Sequence, residues 1–470
     1  MSRVLLLNPP GSQNYIRDYF CSKLAKSNYI SPPVALIMLS GLLAGGHDVA
    51  VQDAIVERLA PEESLRRIAR FAPDAVVSLV GAASWDEDRA FLDRLRQAAP
   101  QALLVGLGDV LLEDTDSRLA EAPALDAALF SFIAPGLLDL LAGPQGRPLA
   151  NIRYRDPSGK WIGNGLEPVP AHYRVPRPRH EWFPLRRYRF PFAVGHPLTA
   201  MLTDYGCPFR CDFCVIPGLG FGVRPLPDLE EELKGLHQQG VREIFFLDQT
   251  FGVRRDRTLA LCEMLGRRPF RFHWSCFSRA DVLDAELLAA MARAGCHTII
   301  FGVESGSEQT LQQYHKNIPL GRIRETLAAC RASGIRAAAT FMLGLPGETE
   351  AQARETIRLA LELPLDYVAF NVAIPRANTG LRAQAISQGL IQPSVRTMDQ
   401  SGLQGAMATR ELPAERILAL RREAVRRFYL RPGYLARRLF TLRSWWDFRS
   451  QLADGVGVVA DALNLGKKAG

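Results

Sequence analysis

The sequence predicts an α/β protein built in series: a doubly wound parallel sheet of Rossmann-like type, a partial (β/α)6 barrel, and a helical, basic C-terminal region. Three observations carry this expectation. Residues 1–145 alternate short apolar strands with amphipathic helices. From residue 198 to 384 the order strand, loop, helix recurs six times, as a parallel barrel requires. Residues 146–197, between them, lose periodicity and fill with proline, arginine and aromatics, while residues 385–470 read as helical and basic.

In the first unit the expected strands are 4–7, 49–52, 75–79, 103–106 and 127–130, separated by helices near 34–44, 61–71, 86–98 and 116–122. Ligands of such sheets sit at the carboxyl ends of the strands. The residues of interest there are Asn8, Pro9, Pro10, Asp53, 81–84, Gly106 and Gly108. In the barrel the expected strands are 198–204, 243–247, 271–276, 298–301, 338–343 and 367–372, and barrel chemistry also lies at the carboxyl ends.

A chain of 470 residues with 47% hydrophobic content exceeds one ordinary core and divides into two or three. No apolar run approaches 18 residues, and Met-Ser-Arg followed directly by an apolar strand does not read as a signal peptide. Eight cysteines without secreted-scaffold spacing point to a cytoplasmic setting with reduced thiols. Five of them, Cys21, Cys262, Cys276, Cys296 and Cys330, are scattered singly and read as small buried hydrophobes. The net charge of +8 is moderate, and no nucleic-acid binding module accompanies it.

The other three cysteines stand close together in Cys207-Pro-Phe-Arg-Cys211-Asp-Phe-Cys214. Three thiolates in one short loop can hold three irons of a 4Fe-4S cube and leave the fourth open to a ligand that is not protein. Structural zinc would want a fourth protein ligand, and the segment has no further Cys or His, the nearest being His196. The motif resembles the signature of the radical S-adenosylmethionine superfamily. That resemblance implies that S-adenosylmethionine chelates the open iron and is cleaved by one electron to methionine and a 5'-deoxyadenosyl radical, which takes a hydrogen atom from substrate. It implies a one-electron reductant such as a flavodoxin or ferredoxin, and it sets Phe213 beside the adenine. Arg210 and Asp212 are read as loop surface.

The same resemblance carries expectations to the later strand ends. Asp248 would contact the amino group of S-adenosylmethionine, Ser278 and Arg279 its ribose or carboxylate, Glu304 and Ser305 its ribose, and Gly344 and Gly347 would let backbone approach the adenine. A buried Glu304 is costly without partners, which favours a ligand role. Glu348 is equally a first-turn carboxylate of the following helix.

The first unit resembles the cobalamin-binding domain that precedes many of these enzymes. Asn8-Pro9-Pro10, Pro32-Pro33 and Asp53-Ala-Ile-Val-Glu57 carry the resemblance. It departs from the cobalamin-dependent mutase pattern, because Asp53 is not followed by the usual histidine ligand to cobalt. Gly106 and Gly108 stand where the family's glycines approach the cofactor tail. The alternative is an ordinary flavodoxin-like domain in which Asp53 caps a helix and the glycines make turns.

Residues 174–189 carry six arginines against one acid and read as a solvated, electropositive linker. Residues 421–449 carry nine arginines against Glu423 and Asp447, interleaved with aromatics. Such a stretch suits either a peripheral membrane helix, which would favour a lipid-like substrate, or a helix packed over the barrel. The combined reading is a radical S-adenosylmethionine enzyme of cobalamin-binding type that methylates an unactivated carbon of an apolar or natural-product small molecule. The alternatives are oxidative cyclisation or rearrangement without methyl transfer, as in the anaerobic magnesium-protoporphyrin monomethyl ester cyclase that the architecture also resembles, or an iron-sulfur electron-transfer or sensing protein.

Overall fold

The computed structural model describes residues 1–440 except 18, 20, 21, 25–28, 134, 145 and 396–404. Its first sheet has seven strands in the order β4-β1-β5-β6-β7-β8-β9. Strands β1 (Arg3–Asn8), β4 (Asp48–Asp53), β5 (Ala75–Leu79), β6 (Leu103–Leu107) and β7 (Ala127–Leu129) run parallel. Strands β8 (Ile152–Arg155) and β9 (Trp161–Ile162) extend the sheet antiparallel, past the expected end of the unit at 145. A two-residue hairpin, β2 (Tyr15–Ile16) with β3 (Lys23–Leu24), lies between β1 and α1 (Val34–Leu43). Helices α2 (Ala54–Glu57), α3 (Pro61–Phe71), α4 (Trp85–Ala98), α5 (Thr115–Glu121) and α6 (Gly136–Leu141) complete the unit.

Local chemistry explains where these helices begin. Pro61 opens α3 with Glu62 and Glu63 in its first turn, and α4 opens with Asp86, Glu87 and Asp88; both arrangements suit the positive end of the helix dipole. The sheet packs apolar side chains on both faces. One face, with α1, joins a core that runs on into the barrel; the other, with α4, forms a separate core around Phe91, Leu92 and Leu95.

The second sheet has six parallel strands in chain order: β10 (Leu198–Met201), β13 (Glu243–Phe246), β14 (His273–Ser278), β15 (Cys296–Glu304), β16 (Arg336–Leu343) and β17 (Tyr367–Val372). Helices α7 (Leu226–Gln238), α8 (Arg255–Gly266), α9 (Ala285–Arg293), α10 (Glu308–Gln313), α11 (Leu320–Ala332) and α12 (Glu350–Glu362) connect them. This is the expected partial barrel. A short antiparallel pair, β11 (Asp204–Gly206) with β12 (Phe221–Val223), brackets the cysteine loop.

Residues 163–197 are not a solvated linker. Tyr173, Val175, Phe183, Leu185 and Tyr188 are buried in the common core. Buried His180 bridges Thr199 at 2.8 Å and Glu232 at 2.9 Å, and the Pro176 carbonyl comes so close to α1 that a Cβ on Gly41 would lie 2.1 Å from it. The end of this segment closes the amino end of the barrel, where Glu243 accepts from the amides of Val194 and Gly195 and Arg336 donates to the Phe192 carbonyl. An extended chain seated in an irregular groove has no period, which is why its aromatics gave no strand or helix signal.

After the barrel come α13 (Gly380–Ser387), α14 (Ala414–Tyr429) and α15 (Pro432–Phe440). Helix α14 buries Ile417, Leu420, Ala424 and Phe428, and Arg421 donates to the Phe370 carbonyl of β17 at 3.1 Å. This part of the basic stretch packs on the barrel; Trp445, Trp446 and the rest of the expected amphipathic segment to residue 449 lie outside the described residues. Among the described residues no helix is long and apolar enough to cross a membrane.

Candidate functional site

The cysteine loop is fixed at both ends. Gly206, at φ +80°, occupies a position where a Cβ would lie 1.9 Å from the Gly220 carbonyl oxygen, so only glycine closes the β11–β12 pair there. The Cys207 amide donates to the same carbonyl at 3.1 Å, and the Cys214 amide closes a turn onto Cys211 at 3.0 Å. Cys211 is buried, and Cys207 and Cys214 are half-buried. Burial pushes the Cys211 thiol up, against the pull of the Lys316 and Arg279 charges, and pushes Cys214 up to about 12. Iron would therefore displace protons on binding. Among the described residues no three His, Cys, Asp or Glu converge on one ion; a cube, which takes one thiolate per iron, does not require that.

Around this loop stand the barrel strand ends. Arg279 donates to Cys211 Sγ at 3.5 Å, to Asp281 at 2.8 and 3.0 Å and to the Lys316 carbonyl at 2.9 Å, and its guanidinium lies 3.7 Å over the Phe209 ring. Glu304, at φ +71°, accepts from Thr340 Oγ1 at 3.3 Å and pairs with Lys316 Nζ at 3.8 Å. Burial raises its carboxyl and Lys316 opposes the rise. Phe213 packs toward Tyr314 with ring centroids 6.5 Å apart. The structure thus brings Cys207, Cys211, Phe213, Arg279 and Glu304 together.

Other expected contacts have their polar atoms engaged within the protein. Asp248 accepts from the Thr203 amide at 2.6 Å, from Thr203 Oγ1 at 2.5 Å and from the Asp204 amide at 3.2 Å, so it secures the exit of β10. Ser278 donates to the Phe251 carbonyl at 2.7 Å, and Ser305 bonds Thr356 and the Ser307 amide between α10 and α12. Gly344 and Gly347 take φ +83° and +85°; a Cβ on the first would meet Ile417 of α14, and on the second Gln313. Glu348 is not a first-turn carboxylate: it staples its own loop by accepting from the Gly344 amide at 2.7 Å, while Thr349 caps α12 in a capping box with Gln352.

At the carboxyl edge of the first sheet, Asp53 caps α2 through the Val56 amide at 3.2 Å and accepts from Asn8 at 2.8 Å and Tyr188 at 3.0 Å. Burial lifts its carboxyl to about 6, against these three donors. Arg17 holds the turn after β1 by donating to Asn8 Oδ1 and to the Pro9 and Pro10 carbonyls, and forms a fully buried ion pair with Asp88 at 2.6 Å. Packing alone requires glycine at 106 and 108, where a Cβ would meet Leu111 and Leu125 or lie 1.6 Å from the Val80 carbonyl oxygen.

The carboxyl edges of the two sheets face each other. A cleft between them is lined by Asn8, Arg17, Ile55, Leu79 and, from the end of β13, Leu247. Beside it, Asp109 after β6 accepts from Ser22 and from Arg376 Nη1 after β17 at 3.0 Å, and Asn378 donates to the Leu112 carbonyl at 2.9 Å.

Sequence reasoning missed Lys316, Arg17, Asp88, Asp109 and Arg376, and it misplaced Asp212. That residue is not idle loop surface: its carboxylate pairs with His315 at 2.8 Å, its amide donates to the Tyr314 carbonyl and its carbonyl accepts from the Leu381 amide. The sequence signal for these was charge alone, in irregular segments or, for Asp88, in the first turn of an expected helix.

Residues 201–360 match the family described as the radical SAM superfamily. An uncharacterized methyltransferase of Pyrococcus horikoshii is 28% identical over 87% of this chain and 90% of its own length. The anaerobic magnesium-protoporphyrin IX monomethyl ester cyclase of Rubrivivax gelatinosus is 26% identical over 73% of this chain and 64% of that protein. Among solved structures, the cobalamin-dependent S-adenosylmethionine radical enzyme OxsB, with aqua-cobalamin and S-adenosylmethionine bound, superimposes with a TM-score of 0.72 over 99% of this chain and 72% of its own, at 16% identity. The radical S-adenosylmethionine methyltransferase TsrM of Kitasatospora setae gives 0.66 over 84% and 78%, at 20% identity. At these identities the two structures show the shared fold.

Proposed function

We propose that the chain is an enzyme of the radical SAM superfamily with a cobalamin-binding-like domain ahead of its barrel, and that it is a cobalamin-dependent methyltransferase acting on a small molecule. The observation that carries the reading is the placement of Cys207, Cys211 and Cys214 on one loop at the mouth of a barrel whose carboxyl edge faces that of the first sheet. When bound, a 4Fe-4S cluster supplies the electron that cleaves S-adenosylmethionine, and a cobalamin supplies the methyl group to the substrate carbon.

The chain's own residues then have distinct tasks. The three cysteines hold the cluster and leave one iron open. Phe213 offers an apolar wall for the adenine, and Arg279 and Glu304 meet the polar groups of S-adenosylmethionine. Asp248, Ser278, Ser305, Gly344 and Gly347 hold the loops that carry those contacts, since their polar atoms or missing side chains are already used in doing so. On the facing edge Asn8, Pro9, Asp53, Gly106 and Gly108 would shape the floor for the corrinoid. A cytoplasmic setting and a flavodoxin- or ferredoxin-like reductant suit such a cluster.

The test is turnover of S-adenosylmethionine by the reduced, reconstituted protein. 5'-Deoxyadenosine and methionine are expected from the native chain, with at least a hundredfold less from Cys211→Ala. Absence of both products from a cluster-loaded sample would leave the electron-transfer or sensing reading.

A further inference from the structure

Lys316 lies outside the cysteine motif and belongs to no strand or helix, yet it is 6% exposed. Burying an ammonium is costly unless something compensates it. The chain goes to some length to place it. His315 and Asn317, on either side, both adopt left-handed backbone at φ +52° and +50°, and its partner Glu304 does so at +71°. Non-glycine residues in this region are uncommon and persist where surrounding contacts over-determine them. Here the Lys316 and Asn317 amides close the turn on the Leu311 carbonyl of α10, and further contacts tie it to the cluster loop. The Asp212 amide donates to the Tyr314 carbonyl, His315 pairs with the Asp212 carboxylate, and Arg279, which also reaches Cys211 Sγ, donates to the Lys316 carbonyl. Gly302 leaves the space, since a Cβ there would lie 2.9 Å from Lys316 Nζ and 2.5 Å from Glu304 Oε1.

The ammonium pairs with Glu304 at 3.8 Å, on a turn whose backbone shares Arg279 with Cys211 Sγ. We infer that Lys316 is a positioning charge for the cluster: a buried cation, held by Glu304, that stabilises the reduced, more negative state of a cube bound by Cys207, Cys211 and Cys214. Reduction adds one electron to a group already carrying thiolate charge. A fixed positive charge in a poorly screened site favours that step, and net charge and hydrogen bonds at the sulfurs set such potentials. The inference rests on the proposed cluster.

The experiment is an EPR-monitored redox titration of the anaerobically reconstituted full chain, without S-adenosylmethionine, so that no effect can arise from binding its carboxylate. Lys316→Met is expected to move the midpoint to more negative potential at unchanged iron content, with Lys316→Arg restoring it. Glu304→Gln, which removes the opposing negative charge, is expected to move it the other way. The two opposite shifts keep the test sound where one variant loses cluster. An unmoved midpoint in both Lys316→Met and Glu304→Gln, each cluster-loaded, overturns the inference and leaves the cluster reading standing. A native chain that takes up iron and sulfide without a reducible cluster signal overturns both.

Discussion

Glu348 is a residue whose environment, rather than its sequence neighbours, decides its chemistry. It is 1% exposed, and burial lifts its carboxyl from the usual 4.5 to about 7, opposed only by amides of its own loop. A raised acid favours the folded state in its protonated form. That contribution is complete below about pH 4.5 and is lost as pH rises through about 7, a difference of roughly 3 kcal/mol. Glu348→Gln keeps an oxygen for the Gly344 amide and cannot ionise. Its denaturation midpoint, followed from pH 5 to 8, should therefore stay flatter than that of the native chain; parallel curves would show that the carboxyl does not titrate in this range. The grouping of Cys207, Cys211 and Cys214 was legible in the sequence because they stand close together on one loop. Lys316 and Asp212 were not, because the turn that carries Lys316 meets the cysteine loop through His315, 103 residues from Asp212, with His315 and Asn317 in left-handed backbone.

Among the elements, α4 shows what hydrophobic patterning reads and what it leaves out. Its three opening acids look alike in sequence as partners of the helix dipole, but Asp88 alone turns inward, where it meets Arg17, Ser84 and the Gly81 amide. Asp88→Ala would leave the Arg17 guanidinium buried and unpaired, at a cost of about 3–5 kcal/mol. Chemical denaturation of that variant should show the loss, and a change below about 1 kcal/mol would mean the pair carries little. The parallel strands were found from their apolar runs to within a few residues. β15, for instance, runs to Glu304 where the expected strand stops at 301, since Gly302 and Glu304 interrupt the apolar run around Val303. β8 and β9 escaped notice because, at four and two residues, they are too short to show a period, and the aromatic segment 163–197 because packing in a groove needs no period at all.

At the scale of the molecule, the two carboxyl edges are held face to face by few polar contacts. Arg376 joins Asp109 and the Ser22 carbonyl, and Asn378 joins the carbonyls after β6. Arg376→Ala should leave the barrel's cleavage of S-adenosylmethionine within about twofold while hastening amide exchange in residues 108–113 and 374–379; unchanged exchange there would show that apolar packing suffices to hold the edges. No sequence pattern announces this tie, because its partners are 267 residues apart and each is an ordinary loop charge. The doubly wound sheet and the barrel could each be read alone, but their mutual orientation could not. That orientation is what a two-cofactor enzyme depends on, and metal content tests it most directly. After anaerobic reconstitution with iron, sulfide and hydroxocobalamin, then desalting, the account predicts about four irons and about one cobalt per chain. Four irons with no retained cobalt would contradict it and move the chemistry to cyclisation or rearrangement without methyl transfer.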